Sequence, residues 1–90
     1  MTEPRIHVSV RETADGWIAD VMVSGERRTT HRVKVSRAEH DHFGGGDVAS
    51  LVMRSFDFLL DREPNTSILR EFDLSVIERY FPEYAAAIRR

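Results

Sequence analysis

One segment constrains the fold of this 90-residue chain more than any other, the run from Asp47 to Glu63. It holds apolar residues at helical spacing on far too many sides for a surface helix. At about 100° per residue, Val48, Ala49, Leu51, Val52, Met53, Phe56, Phe58, Leu59 and Leu60 spread over roughly 220° of arc. Only Ser50, Arg54, Asp57 and Asp61 gather on the remaining strip. Such a helix needs two covering layers, or one layer and a partner chain. Asp47 suits its N-cap and Pro64 stops it near Arg62 or Glu63.

The segments before it alternate with period two. Ile6, Val8 and Val10 lie between His7, Ser9 and Arg11, and the pair Asp15-Gly16 predicts a tight hairpin turn of the primed type. Trp17, Ala19, Val21 and Val23 then share one face, with Ile18, Asp20 and Met22 on the other. A second turn at Ser24-Gly25-Glu26 leads to a third run, where Thr29, His31, Val33 and Val35 alternate with Thr30, Arg32, Lys34 and Ser36. Sequential strands with short connections pair as neighbours, which predicts a three-stranded antiparallel meander over residues 1–36.

The remainder, 37–90, reads as helical. Ser36-Arg37-Ala38-Glu39 has the capping-box pattern and opens a short helix reaching about Phe43. Gly44-Gly45-Gly46 forms a joint that lets the chain reorient. Residues 67–72 read as a short helix or turn, and Ser75-Val76-Ile77-Glu78 as a second capping box. Pro82 restarts or kinks the last helix. The predicted fold is α+β in a single domain, residues 1–90: a meander, a long central helix and short C-terminal helices. Ile68, Leu69, Phe72, Leu74, Ile77, Tyr80, Phe81 and Ile88 are expected to cover the part of the long helix that the sheet leaves open.

The C-terminal half carries a resemblance. Ser55-Phe56-Asp57-Phe58-Leu59-Leu60-Asp61-Arg62-Glu63-Pro64, then Ser67-Ile68-Leu69, Phe72-Asp73-Leu74 and Tyr80-Phe81-Pro82-Glu83-Tyr84, resembles a family of short prokaryotic conserved hypothetical proteins with no assigned activity. It implies no functional residues. Asp15-Gly16-Trp17 ahead of a long helix is also similar in architecture to antitoxins of the HicB type. The chain departs from that family after its second strand and has no DNA-binding module after the helix.

Composition narrows the function classes. With no cysteine, disulfides, thiolate zinc sites and a cysteine nucleophile are excluded. No basic segment followed by an apolar run opens the chain and no apolar cluster is long enough to span a membrane, so a cytoplasmic protein is expected. Asn65-Thr66-Ser67 matches the glycosylation triplet by chance on that reading. The net charge of −2 hides an asymmetry: residues 1–38 hold seven basic against five acidic residues, and 39–90 hold six against ten. A domain this small has a thin core, and self-association is one way to add burial.

Several constellations invite chemistry. His40-Asp41-His42 with His31 suggests metal ligands, but on a helical turn His40 and His42 stand about 200° apart, so no metal site is expected. Gly44-Gly45-Gly46-Asp47 before a helix suggests a phosphate loop, but a carboxylate would occupy the donors a phosphate needs. The serines fall in caps, helix interiors and strands, and the acidic pairs Asp57/Asp61 and Glu71/Asp73 suit solvated faces and turns. No nucleophile and base can be assembled, which points to a non-enzyme without a cofactor.

Two surfaces remain. Arg5, His7, Ser9, Arg11, Asp20, Arg28, Thr30, Arg32 and Lys34 fall on the outward sheet face, where Arg11, Arg28, Arg32 and Lys34 are candidate nucleic-acid contacts. No aromatic residue interleaves them to stack on bases. The segment Arg79–Tyr84 and the uncovered edge of the long helix are the preferred surface, with Leu51, Phe58, Tyr80 and Tyr84 as candidate interface residues. The expected function is a non-catalytic protein–protein interaction module whose partner is a second copy (a homodimer) or another protein. A nucleic-acid-binding or antitoxin-like regulator is the alternative.

Overall fold

Alternation builds the sheet as the pattern requires. β1 (Arg5–Thr13), β2 (Gly16–Ser24) and β3 (Thr29–Ser36) pair antiparallel in sequence order. The computed structural model describes residues 5–89, so the ends of the 1–90 domain lie outside the described residues. Val8 faces Val21, Val10 faces Ala19, and across the next seam Ala19 faces Val33 and Val21 faces His31. Ala19, Val21, Val23, Val33 and Val35 are buried, while their alternates point to solvent on the other face. The helix over Val48–Leu60 packs across β1 and β2, that over Arg37–His42 against β3, and that over Tyr84–Ile88 against those over Val48–Leu60 and Val76–Tyr80.

Gly16 is required for a reason that the turn pattern misstates. No non-glycine residue among those described has positive φ, so the turn at Ala14-Asp15 is not of the primed type. Gly16 opens β2 at φ +153°, and a Cβ there would lie 2.2 Å from the carbonyl oxygen of Val35. Close approach of β3 excludes any side chain.

The sheet has a fourth strand, which corrects the sequence reading. Residues 65–67 form a single 3-10 turn, and β4 (Glu71–Asp73) then runs parallel to β3, pairing Arg32 with Glu71, Val33 with Phe72 and Lys34 with Asp73. An extended backbone buries Phe72 alone and leaves both acidic neighbours in water. A helix over 67–72 would not separate them so cleanly. The architecture is therefore α+β with a four-stranded mixed sheet.

The helices follow their caps. In α1 (Arg37–His42) the capping box is complete: Glu39 N–H donates to Ser36 Oγ at 3.0 Å and Ser36 N–H to Glu39 Oε1 at 2.8 Å. Gly44, Gly45 and Gly46 then take φ of +106°, +67° and +82°, a left-handed turn closed by Gly45 N–H on the His40 carbonyl at 2.7 Å. α2 (Val48–Leu60) starts where Asp47 accepts from Ser50 N–H, a bond that holds the Asp47 carboxyl below its usual range. α3 (Val76–Tyr80) and α4 (Tyr84–Ile88) are short. The second capping box does not form, because Ser75 makes no side-chain cap bond. Its N–H donates instead to Glu39 Oε2 at 2.7 Å, so one carboxylate ties α1 to the entrance of α3.

The wide arc of α2 narrows on folding. Val48, Leu51, Val52, Ser55, Phe56, Phe58 and Leu59 are buried, an arc of about 160° at 100° per residue. Phe56 packs on His31 and Phe72 with ring centroids 5.3 and 6.2 Å away. Phe58 stands edge-on to Phe81 and Tyr84, at 5.9 and 5.3 Å. Among the described residues no helix is long and apolar enough to cross a membrane.

Glu39 supports two junctions, so Glu39→Ala should cost about 2 kcal/mol, roughly a capping box plus one charge-assisted bond. The denaturant midpoint of the variant measures this. A loss of only about 1 kcal/mol, the cost of the capping box alone, would show that the bond to Ser75 is inert.

Candidate functional site

The segment joining α2 to β4 shapes a surface cleft with an apolar interior and an exposed aromatic residue at its lip. Asn65 Nδ2 donates to the Arg27 carbonyl and to Thr29 Oγ1, both at 2.9 Å. His31, buried on β3, contacts the Leu69 carbonyl through Nδ1 at 2.7 Å and Thr29 Oγ1 through Nε2 at 2.8 Å. A carbonyl only accepts, so Nδ1 carries the proton and Nε2 is free to accept from the Thr29 hydroxyl. These bonds hold residues 65–70 against β3. Ile68 is thereby turned into the core and Leu69 out of it.

Between this segment and α3 lies an apolar cleft of about 290 Å³. Its floor is Leu59, Ile68, Phe72 and Ile77, all buried, and its walls are Val76 and Phe81. Leu69 and Tyr80 stand at the lip, 49 % and 69 % exposed. Glu63 and Ser67 are its other polar-bearing residues. With its apolar floor, the cleft can desolvate an apolar group.

The four residues chosen from the sequence as an interface separate here. Leu51, Phe58 and Tyr84 are buried within the chain, and only Tyr80 is at the surface. The Leu51/Phe58 edge of α2 is covered by α4 and Phe81. Arg62 closes it further, with its guanidinium 3.5 Å from the Phe58 ring centroid. Tyr84 is a core residue with a satisfied hydroxyl. Ser55 Oγ donates to the Leu51 carbonyl at 2.7 Å, so Tyr84 donates in turn to Ser55 Oγ at 2.6 Å. Burial pushes the Tyr84 phenol up to about 12, against the smaller opposing effect of the Ser55 bond.

The nucleic-acid candidates sit on the outer sheet face and its rim. Arg11 is exposed on β1 and Arg28 in the turn before β3. Arg32 Nε bonds Asp20 Oδ1 at 3.0 Å, and that bond and charge raise the Arg32 guanidinium. β4 adds what the meander alone lacks, setting Glu71 opposite Arg32 and Asp73 opposite Lys34. The two cations of β3 are thus flanked by carboxylates, which weakens any phosphate-binding stripe.

The histidines diverge. His40 Nε2 donates to the Gly46 carbonyl at 2.6 Å, its ring lies against Trp17, and His42 faces Glu78 at 3.7 Å. Among the described residues no cluster has the geometry to hold a metal ion. Compared with family models, curated proteins and solved structures, the chain finds no match in any of the three.

Sequence reasoning missed the cleft because its two walls meet only when β4 docks. Leu69 and Tyr80, expected to cover the long helix, are instead exposed at the lip of the cleft.

Tyr84 links this packing to pH. In the unfolded chain a tyrosine ionises near pH 10, and in the folded chain Tyr84 does so only near 12. Above pH 10 the unfolded state therefore binds fewer protons, and stability falls between pH 10 and 12, by about 2 to 3 kcal/mol. Tyr84→Phe should be less stable than the parent at neutral pH by about 1 kcal/mol, yet lose less on going to pH 11.5. Parallel denaturant curves for parent and variant would refute this.

Proposed function

We propose that the chain is a non-catalytic protein–protein interaction module that self-associates through its helical half, with the cleft between α2 and α3 at the contact. The observation that carries this reading is Tyr80, a large aromatic side chain held in water at the lip of an apolar hole. A two-fold interface must be self-complementary, with the same patch on both copies providing what projects and what receives it. Tyr80 and Leu69 project and the cleft receives, all within one patch. Aromatic anchors entering a desolvated pocket are the usual source of binding energy at such contacts.

The reading also suits the composition of the site. The cleft is lined mainly by apolar side chains, and no Lys or Arg that a phosphate partner would need is among its lining residues. A nucleic-acid-binding role would fall to the outer sheet face, where Glu71 and Asp73 now stand beside Arg32 and Lys34.

Light scattering should find a dimer at tens of micromolar that persists in high salt, since apolar contacts are not screened. Tyr80→Ser combined with Leu69→Ser should give a folded monomer that still melts cooperatively, because both side chains lie outside the core. Its melting temperature should be lowered only by the lost association and no longer depend on concentration. A parent chain that is monomeric at the highest soluble concentration overturns the proposal.

A further inference from the structure

The opposite edge of the sheet is formed by β1. β1 pairs only with β2, and over nine residues its register runs without a bulge or proline. Monomeric proteins blunt such edges by shortening, bulging or covering them. β4, at the other edge, is three residues long; β1 is nine residues long and unbulged, and among the described residues no other strand pairs with its free edge.

Backbone parity identifies its free groups. Arg32 N–H donates to the Arg70 carbonyl at 2.7 Å, so Arg32 turns its backbone toward β4 and Val33 toward β2. Val33 faces Ala19, Asp20 therefore turns toward β1, and Asp20 faces Ser9. Ile6, Val8, Val10 and Glu12 are out of step with Ser9, so their N–H and C=O groups point away from the sheet. The side chains of Ile6, Val8 and Val10 are half-buried on the helix face.

Charge on the outer face says what belongs there. Each cation of β3 has an acidic neighbour across a strand seam: Arg32 has Asp20 and Glu71, and Lys34 has Asp73. The two arginines of β1 have no acid directly opposite, since Arg5 faces Ser24 and Arg11 faces Ile18. Among the described residues neither Arg5 nor Arg11 forms an ion pair. A second copy of β1 would not supply the missing acids. Antiparallel self-pairing centred on Val8 sets Arg5 against Arg11 twice, and centring on Ser9 sets His7 against Arg11.

We propose that the β1 edge binds an extended segment of another protein as a fifth strand, with acidic residues on the outer face alternating with β-branched residues on the helix face. Main-chain bonds to Ile6, Val8 and Val10 supply the attachment, and Arg5 and Arg11 select the sequence.

The test uses the full chain and fluorescent peptides as long as β1, one alternating Val with Glu and one alternating Val with Lys. At low salt the Glu peptide should bind roughly tenfold more tightly than the Lys peptide, as two to three cross-strand ion pairs allow. Arg5→Glu with Arg11→Glu, both at exposed positions, should invert that preference. Amide resonances of Ile6, Val8 and Val10 should shift on binding, and a Glu peptide N-methylated at alternate residues should not bind. Absence of binding, equal binding of the two peptides, shifts confined to the Tyr80 cleft, or a dimer of the chain formed through β1 would each overturn the proposal. None of these outcomes except the last bears on whether the cleft self-associates.

Discussion

The seam between β3 and the returning chain rests on His31. Its ring is buried against Phe56, donates to the Leu69 carbonyl and accepts from a threonine hydroxyl that Asn65 also engages. A buried polar ring is tolerated because both nitrogens have partners. The consequence is geometric. Once residues 65–70 are held along β3, Phe72 can enter the core and β4 can pair in parallel beside it. Without those bonds the last strand would have only three residues of ladder to hold it.

Docking of β4 has effects on both faces of the sheet. On the helix side, Phe72 and Ile68 provide the floor of the cleft whose lip carries Tyr80 and Leu69. On the outer side, Glu71 and Asp73 arrive beside Arg32 and Lys34 and offset their charge. A surface that reads as basic from three strands becomes mixed with four. The asymmetry then moves to the far edge, where neither Arg5 nor Arg11 has an acidic residue directly opposite it. The same short strand thus weakens one candidate surface and makes another conspicuous.

The helical layer works by sharing carboxylates and rings between elements that are distant in sequence. Glu39 caps its own helix and also accepts the N–H of Ser75, which stands 36 residues later. Phe58 is enclosed by Phe81, Tyr84 and Arg62, so the chain covers the helix edge that otherwise invites a partner. In a domain with so little interior, these contacts between short helices replace a second layer of long ones.

Local pattern was enough for the three antiparallel strands, the inward positions Ala19, Val21, Val23, Val33 and Val35, and the helix that Asp47 caps, although α2 ends at Leu60 with Asp61 as its C-cap, short of the stop expected near Arg62 or Glu63. Period-two and 3.6-residue spacing express the geometry of a single element, and each of these segments is long enough to repeat its pattern. Three kinds of feature needed the folded chain. β4 is too short for alternation to register, and it exists because His31 and Asn65 pin the preceding residues. The fates of Leu51, Phe58 and Tyr84 depended on α4 folding back along α2, which no local spacing encodes. Of the residues picked for an interface, Tyr80 alone kept an exposed position, because α3 ends with that side chain pointing past the cleft. Sequence by itself determined which faces are apolar; tertiary structure decided which of them are covered, since covering requires two segments to meet.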